Sequence, residues 1–492
     1  MRPLTTLASL LLLTTTANAG DFGEGLTNLG PSVLLENKDG RYDHWTGIGR
    51  LESRGNRRCS AVLLDTRTPD SPVHAPAYLL TSGHCTHTSL GMIANDLPIQ
   101  GHVEFNYFKD TAGQRRVYPL QTLAWSSQQN IDLAVVELAV SLEQVIKDGV
   151  QPLRLAASPA TPNMPVLAVG APETTSGYTL RASACTVERL ADIVEHPYVW
   201  RANLTNRCQD LLPGASGSPL LSREDNRILG ITGTTTRGSR EADQCLTDAP
   251  CEVESGEGTW YADTNYASSI ERLPACFANG RFDNSLPGCD MAPGFALTLQ
   301  NPHYLPAAAN ARNNDWRLPF TTNTEYVYHK LVRNPLQCQN TEGYSTGASG
   351  QTAMITLPAS LEEGIHLLCI LGLDDLQAGL SAALLSNVFT LPIQVFADGA
   401  QPPSSQLIIT PLPNGKQNVA FQRSHALPHY TYKYGPPEST DCSDNSGYKH
   451  AFYNFTLSAH LLPAKLCTRV WDLAGDPSPP REDLLEVATD NG

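Results

Sequence analysis

Ser216 stands in the stretch Gly214-Ala215-Ser216-Gly217-Ser218-Pro219. Small neighbours on a tight turn expose its hydroxyl and let backbone N–H groups converge on an oxygen that gains charge when a carbonyl is attacked. A neutral hydroxyl attacks poorly unless a base lies at hydrogen-bond distance. Two upstream stretches offer the missing groups. Leu79-Leu80-Thr81-Ser82-Gly83-His84-Cys85 is an apolar, strand-like run ending at a histidine and a cysteine, and Cys59 is available to pair with Cys85 and hold the histidine's loop. Asn130-Ile131-Asp132-Leu133-Ala134-Val135-Val136-Glu137-Leu138 places one aspartate at the head of a run too apolar to hold an unpaired charge. Asp132 therefore needs a buried partner, for which His84 is a candidate.

With these residues the chain resembles the trypsin-like, chymotrypsin-fold serine peptidases. Thr-Ser-Gly-His-Cys is similar to the family's Thr-Ala-Gly-His-Cys, Asn-Ile-Asp-Leu-Ala to Asn-Asp-Ile-Ala-Leu, and Gly-Ala-Ser-Gly-Ser-Pro to Gly-Asp-Ser-Gly-Gly-Pro. The order His, Asp, Ser is also the family's. The resemblance implies that Ser216 is the nucleophile, His84 the general base and then acid, and Asp132 the group that orients the imidazole. It implies an oxyanion hole from the N–H groups of Gly214 and Ser216, and no cofactor or metal. It spans roughly residues 45 to 275 and is silent on the remainder. Two departures stand out. Ala215 occupies the place of the trypsin group's aspartate, and no Arg-Ile-Val-Gly-Gly activation sequence occurs, so a cleft formed without that switch is expected, as in bacterial relatives resembling the glutamyl endopeptidases.

For the substrate pocket, Asp210 lies six residues before Ser216, where trypsin-like enzymes place the carboxylate that receives Arg or Lys. Gly230-Ile231-Thr232-Gly233-Thr234-Thr235 reads as the pocket's wall, with Gly233 and Thr235 lining it and Thr235 narrowing the mouth. Thr232 stands where glutamyl endopeptidases show histidine, so the expectation leans to Arg/Lys. His44, His74 and His87 read as surface residues.

Composition bounds the class. Residues 1–19 read as a secretory signal: Arg2, an apolar core from Leu7 to Leu13, and Ala17-Asn18-Ala19 before Gly20. No run reaches the ~18 apolar residues of a membrane span. A net charge of −15 argues against a nucleic-acid partner. Twelve cysteines in an exported chain favour disulfides over metal. They fall into local couples: Cys59 with Cys85, Cys185 with Cys208, Cys245 with Cys251, Cys276 with Cys289, Cys338 with Cys369, and Cys442 with Cys467. Cys208 has Cys245 as an alternative partner.

The fold expected is all-β: a chymotrypsin-like double β-barrel followed by two immunoglobulin-like β-sandwich modules. After the signal, residues 20–44 read as an extended or disordered lead-in. Residues 45–290 hold short strands parted by Gly, Pro, Asn and Asp, with a terminal helix expected from Tyr266 to Phe277. Beyond them, Tyr326-Val327-Tyr328-His329-Lys330 with Cys338, Gly343 and Tyr344 is echoed by Tyr430-Thr431-Tyr432-Lys433-Tyr434 with Cys442, Gly447 and Tyr448. This predicts repeats at 295–398 and 406–485, joined by a linker from Asp398 to Ser405. The function implied is an exported serine endopeptidase acting on proteins or peptides, with a cell-surface or matrix ligand for the repeats. The reading from another class is a catalytically inactive peptidase-like adhesin. The final location, periplasm, cell surface or medium, is left open.

Overall fold

A computed structural model describes residues 20–487, except 54–56, 88–89, 174–176, 178, 293–294, 300–307, 310–316, 346–347, 350–352, 357–360, 377–378, 396–401, 423–426, 428, 452–453 and 472–475. The signal segment and the first half of the expected linker, 398–401, lie outside the described residues. No described helix is long and apolar enough to cross a membrane.

Strand β1 (Val33–Leu34) precedes seven strands: β2 (Ile48–Ser53), β3 (Arg57–Leu63), β4 (Pro76–Thr81), β5 (Met92–Pro98), β6 (Gly101–Phe105), β7 (Arg116–Ser127) and β8 (Leu133–Ser141). Hydrogen bonding runs β7-β6-β2-β3-β4-β8 and returns from β8 to β7, which closes a six-stranded barrel, with β5 paired to β7 outside the ring. Closure removes the free edges that an open sheet would expose. Leu133 to Val136 are all fully buried because Ala134 and Val136 join one core and Leu133 and Val135 join another that includes Leu167 and Val169 of the second barrel.

The second barrel repeats the plan with β9 (Pro165–Gly170), β10 (Arg181–Glu195), β11 (Tyr198–Asn206), β12 (Pro219–Ser222), β13 (Ile228–Thr235), the hairpin β14 (Cys251–Glu254) and β15 (Glu257–Thr259), and β16 (Asn265–Ser269). Its ring is β11-β16-β13-β12-β9-β10, closed by β10 on β11. The expected terminal helix is not there. Tyr266 and Ala267 pair with both β11 and β13, so this part of the segment is a strand within the barrel's ring. Pro274 then starts a single 3-10 turn, stapled through Cys276–Cys289.

The lead-in is also ordered. Val33 and Leu34 pair with Ala182 and Arg181, Leu35 is fully buried, and Asp21 bonds Arg223 at 2.7 Å. Residues 20–35 thus strap the second barrel.

After the short hairpin β17 (Phe277–Ala278) and β18 (Arg281–Phe282) come β19 (Phe295–Leu299), β20 (Ala308–Ala309), β21 (Arg317–Thr322), β22 (Tyr326–Val332), β23 (Ala348–Ser349), β24 (Ala353–Thr356), β25 (Gly364–Leu373) and β26 (Phe389–Val395). One sheet has the order β20-β26-β25-β22-β23; the other, β24-β21-β19, is joined through β19 to β5 of the first barrel. Phe295 pairs with Ile93, and Phe295, Leu297 and Phe320 share one core with Ile93 and Trp125. The indole N–H of Trp125 donates to Ala292 O at 2.9 Å, and Ala292 N–H donates to Asn387 Oδ1 at 2.9 Å. The expected boundary at 290–295 is therefore a packed, hydrogen-bonded junction.

The last unit has sheets β27 (Leu407–Leu412), β28 (Lys416–Phe421), β31 (Phe455–Leu457) and β30 (Lys449–His450), β29 (His429–Gly435), β32 (Ala464–Trp471), β33 (Arg481–Leu485). The internal repeat has a physical counterpart. Lys330 sits opposite Cys369, donates to the carbonyls of Asn340 and Glu342 and lies 4.2 Å from the Tyr344 ring. Lys433 sits opposite Cys467, donates to the carbonyls of Asp444 and Ser446 and lies 4.8 Å from the Tyr448 ring. In both, the tyrosine hydroxyl donates to the carbonyl of the loop cysteine. Each module's disulfide thus fastens a strand to a loop that its own lysine organises.

Candidate active site

Asp132 heads β8 and is 1% exposed, and both carboxylate oxygens are engaged by one residue. The His84 backbone N–H donates to Oδ1 at 2.8 Å, and His84 Nδ1 lies 2.7 Å from Oδ2. The sequence creates this geometry locally. β4 delivers Gly83-His84-Cys85 into one 3-10 turn, and Cys85 is tied to Cys59 on β3. A Cβ at Gly83 would meet Ser127 O at 2.1 Å, so only glycine lets the turn seat against the aspartate's loop. On the far side of that loop Ser268 Oγ donates to Asp132 O at 3.1 Å. With Nδ1–H given to the carboxylate, the imidazole keeps a lone pair on Nε2, the form a general base requires.

Ser216 lies between β11 and β12 on a turn held by three backbone bonds: Ala215 N to Leu212 O, Gly217 N to Thr232 O, and Ser60 N to Ser216 O. Gly217 has φ +85°, and a Cβ there would lie 2.0 Å from Ser60 O, so the motif's second glycine is sterically required. The Ser216 hydroxyl is 3.4 Å from Gly233 O and forms no hydrogen bond with His84. Among the described residues, the N–H groups of Gly214 and Ser216 have no hydrogen-bond acceptor.

His84 and Ser216 line one cleft of about 610 Å³ between the barrels, together with Arg58, Gln128, Glu195, His196, Trp200, Leu211 to Ala215, Thr232 to Thr235 and Arg237. That volume suits a few residues of a peptide. Gly233 and Thr235 are among the residues that line it.

Asp210 does not reach it. Its Oδ2 accepts from the backbone N–H and hydroxyl of Ser32 on the lead-in, at 2.8 and 2.9 Å. Burial pushes its pKa up, but the Ser32 bonds and the nearby Arg237 and Arg181 outweigh this and hold it below the usual carboxylate range. The pocket assignment of Asp210 is corrected on this ground: its carboxylate is bonded to the strap and does not line the cleft.

Three cleft residues were missed in the sequence. Glu195 is nine-tenths buried, and its Oε1 accepts from Asp248 N at 2.9 Å. Burial pushes its pKa to about 7, against the pull of Thr234, Asp248 N–H and His84. Burial lowers the neighbouring His196 to about 4. The third is Arg237. No local pattern marks them, since they lie on a hairpin tip and a loop that reach the cleft only through tertiary packing.

His74 is exposed as expected, whereas His44 packs among the rings of Phe22, Tyr42 and Trp45. Among the described residues the one metal-sized cluster is His84 with Cys59 and Cys85, whose sulfurs are joined to each other. All six expected disulfides form, and Cys208 pairs with Cys185 rather than Cys245.

Residues 59–231 match the family of trypsin-like peptidase domains. Solved structures that match part of the chain include a thermostable serine protease, AL20, from an extremophilic microorganism, at 14% identity and TM-score 0.32, covering 48% of this chain and 94% of that one. A Glu endopeptidase is 15% identical at TM-score 0.32, covering 48% and 92%, and neuropsin from mouse brain is 14% identical at TM-score 0.30, covering 49% and 95%. No curated protein matches the chain's sequence.

Proposed function

We propose that the chain is an exported serine endopeptidase that hydrolyses peptide bonds through Ser216, His84 and Asp132. The observation that carries this is the paired bonding of Asp132 to His84 in the cleft that also holds Ser216. In the reaction, Ser216 Oγ bonds to the carbonyl carbon while its proton passes to His84 Nε2, and the carbonyl's electron pair moves onto oxygen. The free N–H groups of Gly214 and Ser216 are the donors for that oxyanion, each contributing roughly 3 to 4 kcal/mol in comparable sites. The C–N bond then breaks, His84 returns the proton to the leaving amine, and water releases the acyl group by the same steps. Six disulfides and the lack of a membrane-crossing helix among the described residues support export. The immunoglobulin-like reading of the two modules rests on their paired sheets and on one disulfide each.

A second reading, a binding protein without catalysis, draws on the unformed Ser216–His84 hydrogen bond, a contact that often tightens only with substrate. A fluorophosphonate, which bonds covalently to an activated serine, separates the two. The wild-type chain should be labelled and Ser216→Ala should not; labelling of the variant at the wild-type level, or of neither protein, refutes the assignment.

A further inference from the structure

The cleft that holds Ser216 carries a cation. Arg237 lines it together with Leu211 to Ala215 and Thr232 to Thr235. Its side chain is only 22% exposed. Nη2 donates to Gln209 Oε1 at 2.9 Å, and the backbone N–H donates to Thr235 Oγ1 at 3.1 Å, which holds the residue across the pocket. The rest of the guanidinium is under-used. Nη1 is 3.9 Å from Asp210 Oδ1 and Nε is 3.9 Å from Asp263 Oδ1, too far for hydrogen bonds, and buried Nε has no partner. Asp210 cannot swing closer without giving up Ser32, and the Asp263 carboxylate is mostly in solvent.

Resting on the peptidase reading, we infer that the pocket next to Ser216 receives an acidic side chain, Glu or Asp, whose carboxylate is bound by Arg237. A guanidinium presents a planar fork of donors that matches a carboxylate. An incoming carboxylate would use donors that otherwise stay unmet in a largely desolvated site. A lysine or arginine would instead meet Arg237, since Asp210 and Asp263 lie 3.9 Å from its guanidinium but do not line the cleft. Of the other acids of the cleft, Glu195 accepts from the Asp248 backbone N–H and is influenced by Thr234 and His84. Arg58 adds a further positive charge to the lining.

The test uses the full chain and matched peptides differing only at the residue before the scissile bond: Glu, Gln, Asp, Ala and Arg. Wild type should cleave after Glu about thirtyfold or more better than after the isosteric Gln, with Arg the poorest. Arg237→Gln should remove that advantage, read as the ratio of Glu to Gln cleavage, while Arg237→Lys should keep part of it. Wild-type cleavage after Gln, Ala or Arg that equals cleavage after Glu overturns the inference, as does an unchanged Glu-to-Gln ratio in Arg237→Gln. If that variant fails to fold, the wild-type Glu-to-Gln ratio alone decides. Fluorophosphonate labelling keeps the two failures apart. A labelled wild type without acidic preference sinks only this inference, whereas an unlabelled chain that cleaves no peptide sinks the peptidase reading as well.

Discussion

Phe320 lies on β21 of the first C-terminal module, is fully buried, and belongs to the same core as Ile93 and Trp125 of the first barrel. Its replacement by alanine decides whether that module is part of the peptidase's folding unit. Loss of a buried phenylalanine costs about 3 to 5 kcal/mol. How far the melting temperature moves depends on how much chain unfolds with it, since unfolding entropy is about 2.1 cal/mol/K per residue. If barrels and module unfold together, roughly 375 residues contribute about 0.8 kcal/mol/K, and the transition drops by ~4–6 °C. If the module of roughly 100 residues unfolds alone, its entropy is only about 0.2 kcal/mol/K, and a separate transition drops by ~15–25 °C. The continuous sheet through β19 and β5, the Trp125 bond to Ala292 and the Ala292 bond to Asn387 favour the first case. Scanning calorimetry of Phe320→Ala, paired with peptidase activity surviving brief heating, should show one transition and one activity midpoint shifting together. A module peak that falls alone while the heat resistance of activity stays at the wild-type value refutes the shared core.

The remaining expectations concern the strap and the buried cleft groups. Ser32→Ala takes one donor from Asp210 and an acceptor from Arg181; it should cost about 1 kcal/mol of stability and lower kcat/KM for Glu, Ala and Arg peptides by one common factor. A loss confined to Arg peptides would restore the original pocket role of Asp210. Glu195, whose folded pKa is raised to about 7, contributes stability that is full below pH 4.5 and is lost as pH rises through 7. His196, lowered to about 4, contributes stability that is full above pH 6.5 and is lost as pH falls towards 4. The two slopes oppose each other. Denaturant midpoints of Glu195→Gln should therefore rise from pH 4 to 6.5, and those of His196→Gln should fall from pH 4.5 to 7; equal profiles in both variants and wild type would exclude either burial effect.

How legible this was in the sequence follows the range of the interaction. His84 and Ser216 stand in short motifs because each needs a particular turn, and those turns need glycine at positions 83 and 217. The disulfides were legible because every pair closes a loop of 31 residues or fewer. Tyr266 to Phe277 misled because an apolar strand followed by a proline turn has the spacing of a short helix, and only pairing on both edges decides for strand. The strap, Arg237 and Glu195 left no trace, since each acts through partners from distant elements. Asp210 had the right address and the wrong orientation: Ser32, 178 residues away, had already claimed its carboxylate.

The same reasoning explains why the module matters to the site it does not line. Asp132 is held by His84 in front and Ser268 behind, and two residues earlier Asn130, 3% exposed with φ +60°, makes the turn that aims it. Asn130 donates its backbone N–H to Val199 O on the second barrel and its side-chain amide to Ser386 O on the module at 3.2 Å, and Thr390 Oγ1 reaches its Oδ1 at 3.4 Å. One buried asparagine therefore joins the module, the second barrel and the aspartate's loop. Removing the module would leave that amide without two of its partners, at a cost of about 1 to 3 kcal/mol per unmet group, and would do so two residues from Asp132. The module is best understood as the back wall of the Asp132 loop, so the chain N-terminal to residue 293 should not be expected to keep full activity once cut free.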